Sequence, residues 1–467
     1  MIKENNEIKF GLGGWREIIG ESFTRDNVQK IAYAVLDQVD EKGIVVSYDR
    51  RFLSKNAAKW VSEVMVAYDK KVFLINRPMP TPVLMYTVKE MGVNCGIAIT
   101  ASHNPAEYNG IKVITKGGLD ADISLTNEIE TIANSVEKVD IKSLITAKKA
   151  GIYKEINPVN DYIDAVLDLV DKDNIIDGRF KILLDPMFGV SKHALSTLLY
   201  SCRCEVEVIN DSHDAFFGGK LPSPSLHTLS KLKEIVRNGD YNLGVATDGD
   251  ADRIGIIDEK GNFVHPSILI ALIYKYLLEV KKLKGPAVRN LTTSHLIDAI
   301  AKKHNEKVVE VKVGFKHISE NMLKHKALIG GESSGGLTVS GHIMGKDGIF
   351  AALIILEMLA TTKMTMSQHV NALFEEYGEF HTYEKSFKIK DDQIEATKNR
   401  LSNYIASKAE EFKMFDFDGI KIVYPDDSWI SVRESGTEPL YRIIAEAKTK
   451  EKAKTLVEKY EKIIFNK

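Results

Sequence analysis

The sequence predicts an α/β protein of three related α/β domains with mixed sheets, followed by a smaller C-terminal α+β domain. Three observations lead there. The 467 residues exceed the ~250 to 300 at which a single hydrophobic core stops growing, so several packed domains are needed. Short β-rich apolar runs alternate with amphipathic helical stretches, the signature of βαβ units. That rhythm restarts twice and then changes character after Gly378. The implied boundaries are 1–157, 158–257, 258–372 and 373–467.

In the first unit, strands are expected at 43–47 (GIVVS), 72–75 and 96–100 (GIAIT), with helices around 57–68 and 83–91 between them. The pattern restarts after Asn157-Pro158 with a helix at 161–169, strand 181–185, helix 192–199 and strands 205–209 and 243–247. A third unit follows Gly261: helix 268–280, strand 287–289, a helix from Ser294, and strands 308–311 and 327–330. No short-period repeat is present, so the likeness between units lies in element order rather than in sequence. Beyond Gly378, a segment near 387–389, a charged helix over 391–412, strands 420–424 and 429–433, and a final helix from Lys450 read as an α+β domain.

Composition narrows the function. Hydrophobic residues at 44% and charged residues at 27% describe a chain able to bury cores, not a disordered one. Lys plus Arg (63) balances Asp plus Glu (65), so no global basic field exists to hold nucleic acid, and any anionic ligand must meet a local site. The opening MIKENNEIKF lacks the apolar stretch of a signal peptide, and no run approaches the roughly 20 apolar residues that span a bilayer. A soluble cytoplasmic protein with no membrane partner is the expectation. Cys95, Cys202 and Cys204 lack the second pair or His ligands of a zinc site and read as plain thiols.

Five loops carry chemistry. Thr100-Ala101-Ser102-His103-Asn104-Pro105 follows an apolar strand, where ligands of open α/β sheets gather. A turn is an equally good reading of that segment alone, and no Gly-x-Ser-x-Gly elbow marks a serine hydrolase. Asp248-Gly249-Asp250-Ala251-Asp252-Arg253 sets three carboxylates at alternate positions. They repel unless a cation sits among them, and a hard oxygen-ligated ion such as Mg²⁺ fits. An EF-hand is excluded because Arg253 occupies the position of the obligatory glycine. Arg253 itself is a planar donor suited to phosphate.

In Arg433-Glu434-Ser435-Gly436-Thr437-Glu438-Pro439, a guanidinium and successive backbone N–H groups can clamp an anion, although a Gly-Pro hairpin has the same composition. Gly331-Glu332-Ser333-Ser334-Gly335-Gly336 offers a Glu among small residues, able to accept bonds from sugar hydroxyls. Phe10-Gly11-Leu12-Gly13-Gly14-Trp15-Arg16 could bring Arg16 to a phosphate but is not a P-loop. Lys112, in Tyr108-Asn109-Gly110-Ile111-Lys112, stands out only by its nearness to Ser102.

Together, TASHNP, YNGIK, DGDADR, GESSGG and RESGTEP resemble the α-D-phosphohexomutase superfamily, the phosphoglucomutases and phosphomannomutases, in order and spacing from Phe10 to the last helix. The resemblance implies four domains around a central cleft, each contributing one functional loop. It makes Ser102 the phosphoserine, with Ser102, Asp248, Asp250 and Asp252 around Mg²⁺. His103 and Lys112 become general base and acid, and Arg16 and Arg253 phosphate partners. Glu332 and Ser334 read the sugar, while Arg433, Ser435, Gly436 and Thr437 hold the phosphate that is not reacting. Thr81-Pro82 also matches a family element. A lysine base would need its pKa lowered.

The implied reaction interconverts hexose 1- and 6-phosphates through a hexose 1,6-bisphosphate, with glucose 1,6-bisphosphate as activator and a monomer or dimer as the working unit. The Gly-Gly ending of the sugar loop and Val288-Arg289-x-x-Thr292-Thr293-x-His295-Leu296 look closer to the glucomutase branch than to the phosphoglucosamine branch, placing glucose first and mannose second. The chain departs from the family at Leu12 and Gly13, where hydroxyl or carboxylate residues are usual, at Glu17, at Ser333 in place of a second Glu, and at Glu434. Two rivals follow: a catalytically weak sugar-phosphate-binding protein of the same fold, and a phosphotransferase or phosphatase with an aspartyl nucleophile.

Overall fold

The computed structural model describes residues 7–388, 394–434 and 440–465. Its first sheet runs, in spatial order, Trp15–Ile18, Tyr108–Thr115, Cys95–Ile99, Ile44–Tyr48, Val72–Ile75 and Tyr153–Ile156, with Leu119–Asp120 paired to Tyr108–Thr115. Alternation along a strand sends neighbouring side chains to opposite faces. Ile44 and Val46 thus join one core with Ala57 and Val61 of helix Ser54–Ala67. Val45 joins another with Val83, Leu84 and Val88 of helix Thr81–Met91.

The second sheet orders Phe263–Val264, Ile254–Asp258, Leu243–Thr247, Lys181–Asp185 and Glu205–Val208. The third orders Val308–Val311, Ala287–Asn290, Ile329–Gly331 and Leu337–Val339. All three sheets share one construction: parallel strands flanked by a strand that returns antiparallel. These returns are Cys95–Ile99 to Tyr108–Thr115, Leu243–Thr247 to Ile254–Asp258, and Ile329–Gly331 to Leu337–Val339. The connection of each hairpin is the serine, aspartate or glutamate loop. The last sheet is wholly antiparallel, in the order His381–Lys388, Leu440–Ala447, Trp429–Glu434, Ile420–Val423 and Lys413–Phe415.

One apolar core runs continuously from Val83 and Ala98 through Tyr162, Leu195 and Ile254 to Ile297 and Leu353, welding the first three domains together. At its centre, helix Gly348–Thr362 is buried on almost every side, as an all-apolar helix must be. The fourth domain keeps a separate core around Ile422, Ile430, Ile443 and Tyr460. No single helix among the described residues is long and apolar enough to cross a membrane.

Several element limits differ from expectation. The strand Tyr108–Thr115 was unforeseen because Asn-Gly signals a turn. Here Gly110 is required by close approach, since a Cβ would lie 2.2 Å from the Trp15 carbonyl oxygen. The helix expected from Ser294 begins at Leu296. The preceding residues are held in a turn by Asn290 Oδ1, which accepts from Thr292 N and from the hydroxyls of Thr292 and Thr293. The charged helix is shorter than 391–412, spanning Ile394–Ala406, after which the chain turns into strand Lys413–Phe415. The three cysteines are free and buried.

Candidate active site

Ser102 is fully buried and sits in the left-handed region at φ 50°. That conformation costs a non-glycine residue about 1 kcal/mol or more and persists only where surroundings impose it. Thr100 Oγ1 accepts the Ser102 N–H at 2.8 Å, and the Ser102 carbonyl accepts from Arg51 Nη2 at 2.8 Å. Arg51 also donates to the carbonyls of Asn104 (2.6 Å), Pro105 (2.7 Å) and Tyr108 (3.0 Å), tying the loop to the end of the Ile44–Tyr48 strand. So held, the Ser102 hydroxyl donates to Asp248 Oδ2 at 2.8 Å and stands 3.3 Å from His103 Nδ1. A Cβ at position 249 would lie 2.6 Å from the Ser102 carbonyl oxygen, so Gly249 is what lets the two loops meet.

Asp248, Asp250 and Asp252 are buried, and one carboxylate oxygen of each lies within 4.8 Å of the others. Lys112 Nζ bridges Asp250 Oδ2 and Asp252 Oδ2, both at 2.6 Å. Thr81 donates to Asp250 Oδ2 at 2.8 Å, Lys346 pairs with Asp252 at 3.0 Å, and Arg253 N donates to Asp248 Oδ1 at 3.0 Å. Oδ1 of Asp250 and Oδ1 of Asp252 are buried without a hydrogen-bond partner. Burial, then the charges of Asp252 and Asp250, push Asp248 well above the usual carboxylate range. For Asp252 burial works in the same direction, but Lys112, Lys346 and Arg253 outweigh it and hold the pKa well below. The lysines and arginines nearby leave two carboxylate oxygens of the cluster without a donor, and these are hard ligands of the kind Mg²⁺ takes. The residues fit a divalent cation.

Burial opposes the charge on Lys112, yet Asp250 and Asp252 raise its pKa above that of an ordinary lysine, opposite to what a lysine base needs. His103 moves the other way: loss of water, then Arg253, Arg16 and Lys346, press its pKa well below the histidine value, so the imidazole is neutral. Arg16 donates to Asn104 Oδ1 at 2.7 Å and to the Gly13 carbonyl at 3.1 Å. A Cβ at Gly13 would lie 2.7 Å from Arg16 Nη2, so a larger residue there would require the end of the arginine side chain to shift. Burial lowers the Arg16 pKa to about 10, with Asp250 opposing, which leaves it charged at neutral pH.

On the adjoining loop, Glu332 is buried, and its Oε1 accepts from Asn290 Nδ2 (3.1 Å) and Gly314 N (3.0 Å). Ser334 is exposed, while the Ser333 hydroxyl lies 3.0 Å from that of Thr292. The Ile254 N–H donates to the Gly335 carbonyl at 3.0 Å, joining this loop to the aspartate loop. Gly335 has φ +97°, and a Cβ there would lie 2.6 Å from the Ile254 carbonyl oxygen. Arg433 is turned onto Asp418, with Nε and Nη2 at 3.1 and 3.0 Å from Oδ1. Asp418 Oδ2 accepts from Val313 N at 2.6 Å, next to the Gly314 that holds Glu332. Glu434 pairs with Lys398 at 2.9 Å. Ser435, Gly436 and Thr437 lie outside the described residues.

Comparison with known families gives four matches in chain order. Phosphoglucomutase/phosphomannomutase α/β/α domain I matches residues 7–140, domain II 160–261 and domain III 265–377, and the C-terminal domain of the same family matches 387–463. The chain belongs to the phosphoglucomutase/phosphomannomutase family.

As a phosphohexomutase, an intramolecular phosphotransferase, it has full-length relatives. It is 31% identical over 465 residues to the phosphoglucosamine/phosphogalactosamine mutase of Sulfurisphaera tokodaii, covering 98% of this chain and 99% of that one. It is also 31% identical over 456 residues, 96% of each chain, to the phosphoglucomutase/phosphomannomutase of Thermococcus kodakarensis. The open form of the parafusin phosphoglucomutase of Paramecium shares the fold, with a TM-score of 0.85 at 23% identity over 98% of this chain and 94% of that one.

The structure thus brings Ser102, His103, Lys112, Arg16, Arg253 and the three aspartates into one cluster, with Glu332 on the adjoining loop. Two members of this phosphohexomutase site were not singled out from sequence. Arg51 carries only the weak signal of following a strand end, and Lys346 follows an unremarkable loop. The role of Thr81 as a donor to Asp250 was likewise hidden, 169 residues away from its partner.

Proposed function

We propose that this phosphohexomutase interconverts hexose 1- and 6-phosphates through a phosphorylated Ser102, acting on glucose phosphate first and mannose phosphate second, as a cytoplasmic monomer or dimer. The observation that carries the reading is the Ser102 hydroxyl placed 2.8 Å from Asp248 within a buried carboxylate cluster holding two unpartnered oxygens. Phosphorylated Ser102 and Asp248, Asp250 and Asp252 would hold Mg²⁺, which supplies charge stabilisation for the transferring phosphoryl group when bound.

In the first half-reaction the bond from phosphorus to Ser102 Oγ breaks as a sugar hydroxyl oxygen bonds to phosphorus, and in the second the phosphorus–oxygen bond at the other end of the bisphosphate breaks as Ser102 Oγ bonds to that phosphorus. The hydroxyl proton passes to the neutral imidazole of His103, and in the reverse step returns from it. Lys112 stays protonated, fixing the geometry of Asp250 and Asp252. Arg16 and Arg253 offset charge on the phosphoryl oxygens. Glu332 Oε2 and Ser334 accept the sugar hydroxyls. Arg433, with Ser435, Gly436 and Thr437, holds the second phosphate, so that a 1,6-bisphosphate can turn over and return phosphate to Ser102. Glucose 1,6-bisphosphate would serve as activator by phosphorylating Ser102.

A neutral Ser333, already bonded to Thr292, favours a hydroxyl over an ammonium group at the sugar. The second reading is phosphoglucosamine mutase, supported by the name of the Sulfurisphaera relative. Comparing kcat/KM for glucose, mannose and glucosamine 1-phosphates, with Mg²⁺ and the matching bisphosphate, separates them. Glucose highest supports the ranking, glucosamine highest reverses it, and no turnover of any would support the binding-protein rival.

A further inference from the structure

Away from the catalytic cleft, a cavity of ≈ 560 Å³ lies where the second, third and fourth domains meet. That volume is within the range of small-molecule sites. None of the serine, aspartate or glutamate loops lines it.

Its walls, floor and mouth differ in chemistry. Phe263, Phe374 and Phe380 line it, each only half-buried, with one face of Phe380 already covered by Lys448 Nζ at 3.4 Å from the ring centroid. On the polar side stands Glu446, only 1% exposed. Its Oε1 accepts from His295 N (3.0 Å) and Trp429 Nε1 (2.8 Å); its Oε2 is buried with no partner in hydrogen-bond geometry, although the Ser294 hydroxyl on the same wall opposes the rise that burial gives the Glu446 pKa. A buried carboxylate oxygen left unpaired is costly and calls for an N–H or O–H donor. His265 also lines the space, and because its Nδ1 accepts from Ser267 N at 3.2 Å, its proton is on Nε2. Lys233, Lys260 and Lys450 are among the other lining residues, and none makes an ion pair among the described residues. The one other carboxylate there, Asp258, is spent on the N–H groups of Lys260 and Asn262.

Planar apolar walls, an acceptor waiting for a ring N–H, and uncompensated positive charge describe a ligand that is aromatic, nitrogenous and anionic together. We propose that this cavity binds a nucleotide, its base between the phenylalanines with an N–H on Glu446 and its phosphates at the lysines. A hexose phosphate satisfies the lysines but leaves the aromatic walls less well used, and inorganic phosphate satisfies neither walls nor Glu446.

The test is equilibrium dialysis of the full chain, Mg²⁺ present, against radiolabelled ATP, GTP and UTP, with saturating glucose 1,6-bisphosphate occupying the catalytic cleft. Adenosine and inorganic triphosphate serve as half-ligands. The expected result is binding of at least one nucleotide with Kd below about 1 mM, unaffected by the bisphosphate and stronger than either half-ligand by about tenfold or more. Lys260→Glu with Lys450→Glu should weaken it by about tenfold, and Asn371→Trp, placed on the exposed rim, should block it while hexose phosphate turnover continues. Absence of nucleotide binding, displacement by glucose 1,6-bisphosphate, or equal binding of inorganic triphosphate would overturn the proposal. Because the readout is binding, its failure leaves the mutase reading standing, and failure of mutase turnover leaves this result interpretable.

Discussion

Arg51 spends its guanidinium on four main-chain carbonyls of the serine loop, from Ser102 to Tyr108, while itself buried. It is a positioning residue, since it touches the loop and not the reacting hydroxyl. Arg51→Met should leave those carbonyls short of donors and cost at least about 3 kcal/mol in urea unfolding. Arg51→Lys should recover much of the stability but little of kcat, because an ammonium cannot span the fork. Equal recovery of both would deny the positioning role. Nothing beside Arg51 in the chain announces this, because its partners lie 51 to 57 residues on. The aspartate loop was legible for the opposite reason: its repulsion is local, with three carboxylates within five residues. Lys112 shows the limit of such reading, for its pKa depends on two carboxylates 138 and 140 residues away.

At the level of elements, the hairpin is the recurring unit: a parallel strand ends, its loop crosses toward the cleft, and the chain returns antiparallel. Apolar strands and their polar ends could be read from the sequence. The return strand Tyr108–Thr115 could not, because the residues that force Gly110 to approach closely, Trp15 and Thr100, belong to other segments. Asp418 makes a second case. It lies before strand Ile420–Val423, holding Arg433 on one oxygen and Val313 N on the other. With the phosphate role proposed for Arg433, a substrate phosphate would have to compete with Asp418 for the guanidinium. Asp418→Asn keeps an acceptor for Val313 but removes that charge, and should lower KM for hexose phosphate by about threefold to tenfold with kcat little changed. An unchanged or raised KM would mean that Arg433 does not meet the substrate.

For the whole molecule, the contrast between cores is the organising fact. The first three domains share one apolar core, whereas the fourth keeps its own and meets the third through buried polar groups. Lys421 Nζ reaches Glu310 Oε2 at 2.6 Å and His295 Nε2 at 3.0 Å; Glu310 also pairs with Arg289, and Arg289 with Asp298 at 2.7 Å. Lys421→Met removes one hydrogen-bond donor from Glu310 and His295 while Glu310 keeps Arg289, and should loosen this junction by about 1 kcal/mol, seen as an earlier, separate unfolding of the fourth domain and a larger radius in X-ray scattering. Burial, then Arg289, lowers the Lys421 pKa to about 8 against the pull of Glu310. Its docked pKa is below the undocked value, so the docked state binds fewer protons. Docking should strengthen as pH rises through about 8 toward the ordinary lysine range, and scattering at pH 7 and 9 would show the reverse if the assignment failed. Domain number followed from sequence through length and rhythm, but not this division into a welded trio and a polar-docked fourth, which depends on pairings such as Lys421 with Glu310 across 111 residues. The central claim, that Ser102 carries the phosphate, is tested most directly by incubating the protein with ³²P-labelled glucose 1,6-bisphosphate, quenching, and mapping the labelled peptide. The expected result is acid-stable label on Ser102 that chases into hexose phosphate as fast as turnover. Hydroxylamine-labile label on Asp248, or label on Ser102 that does not chase, would contradict it.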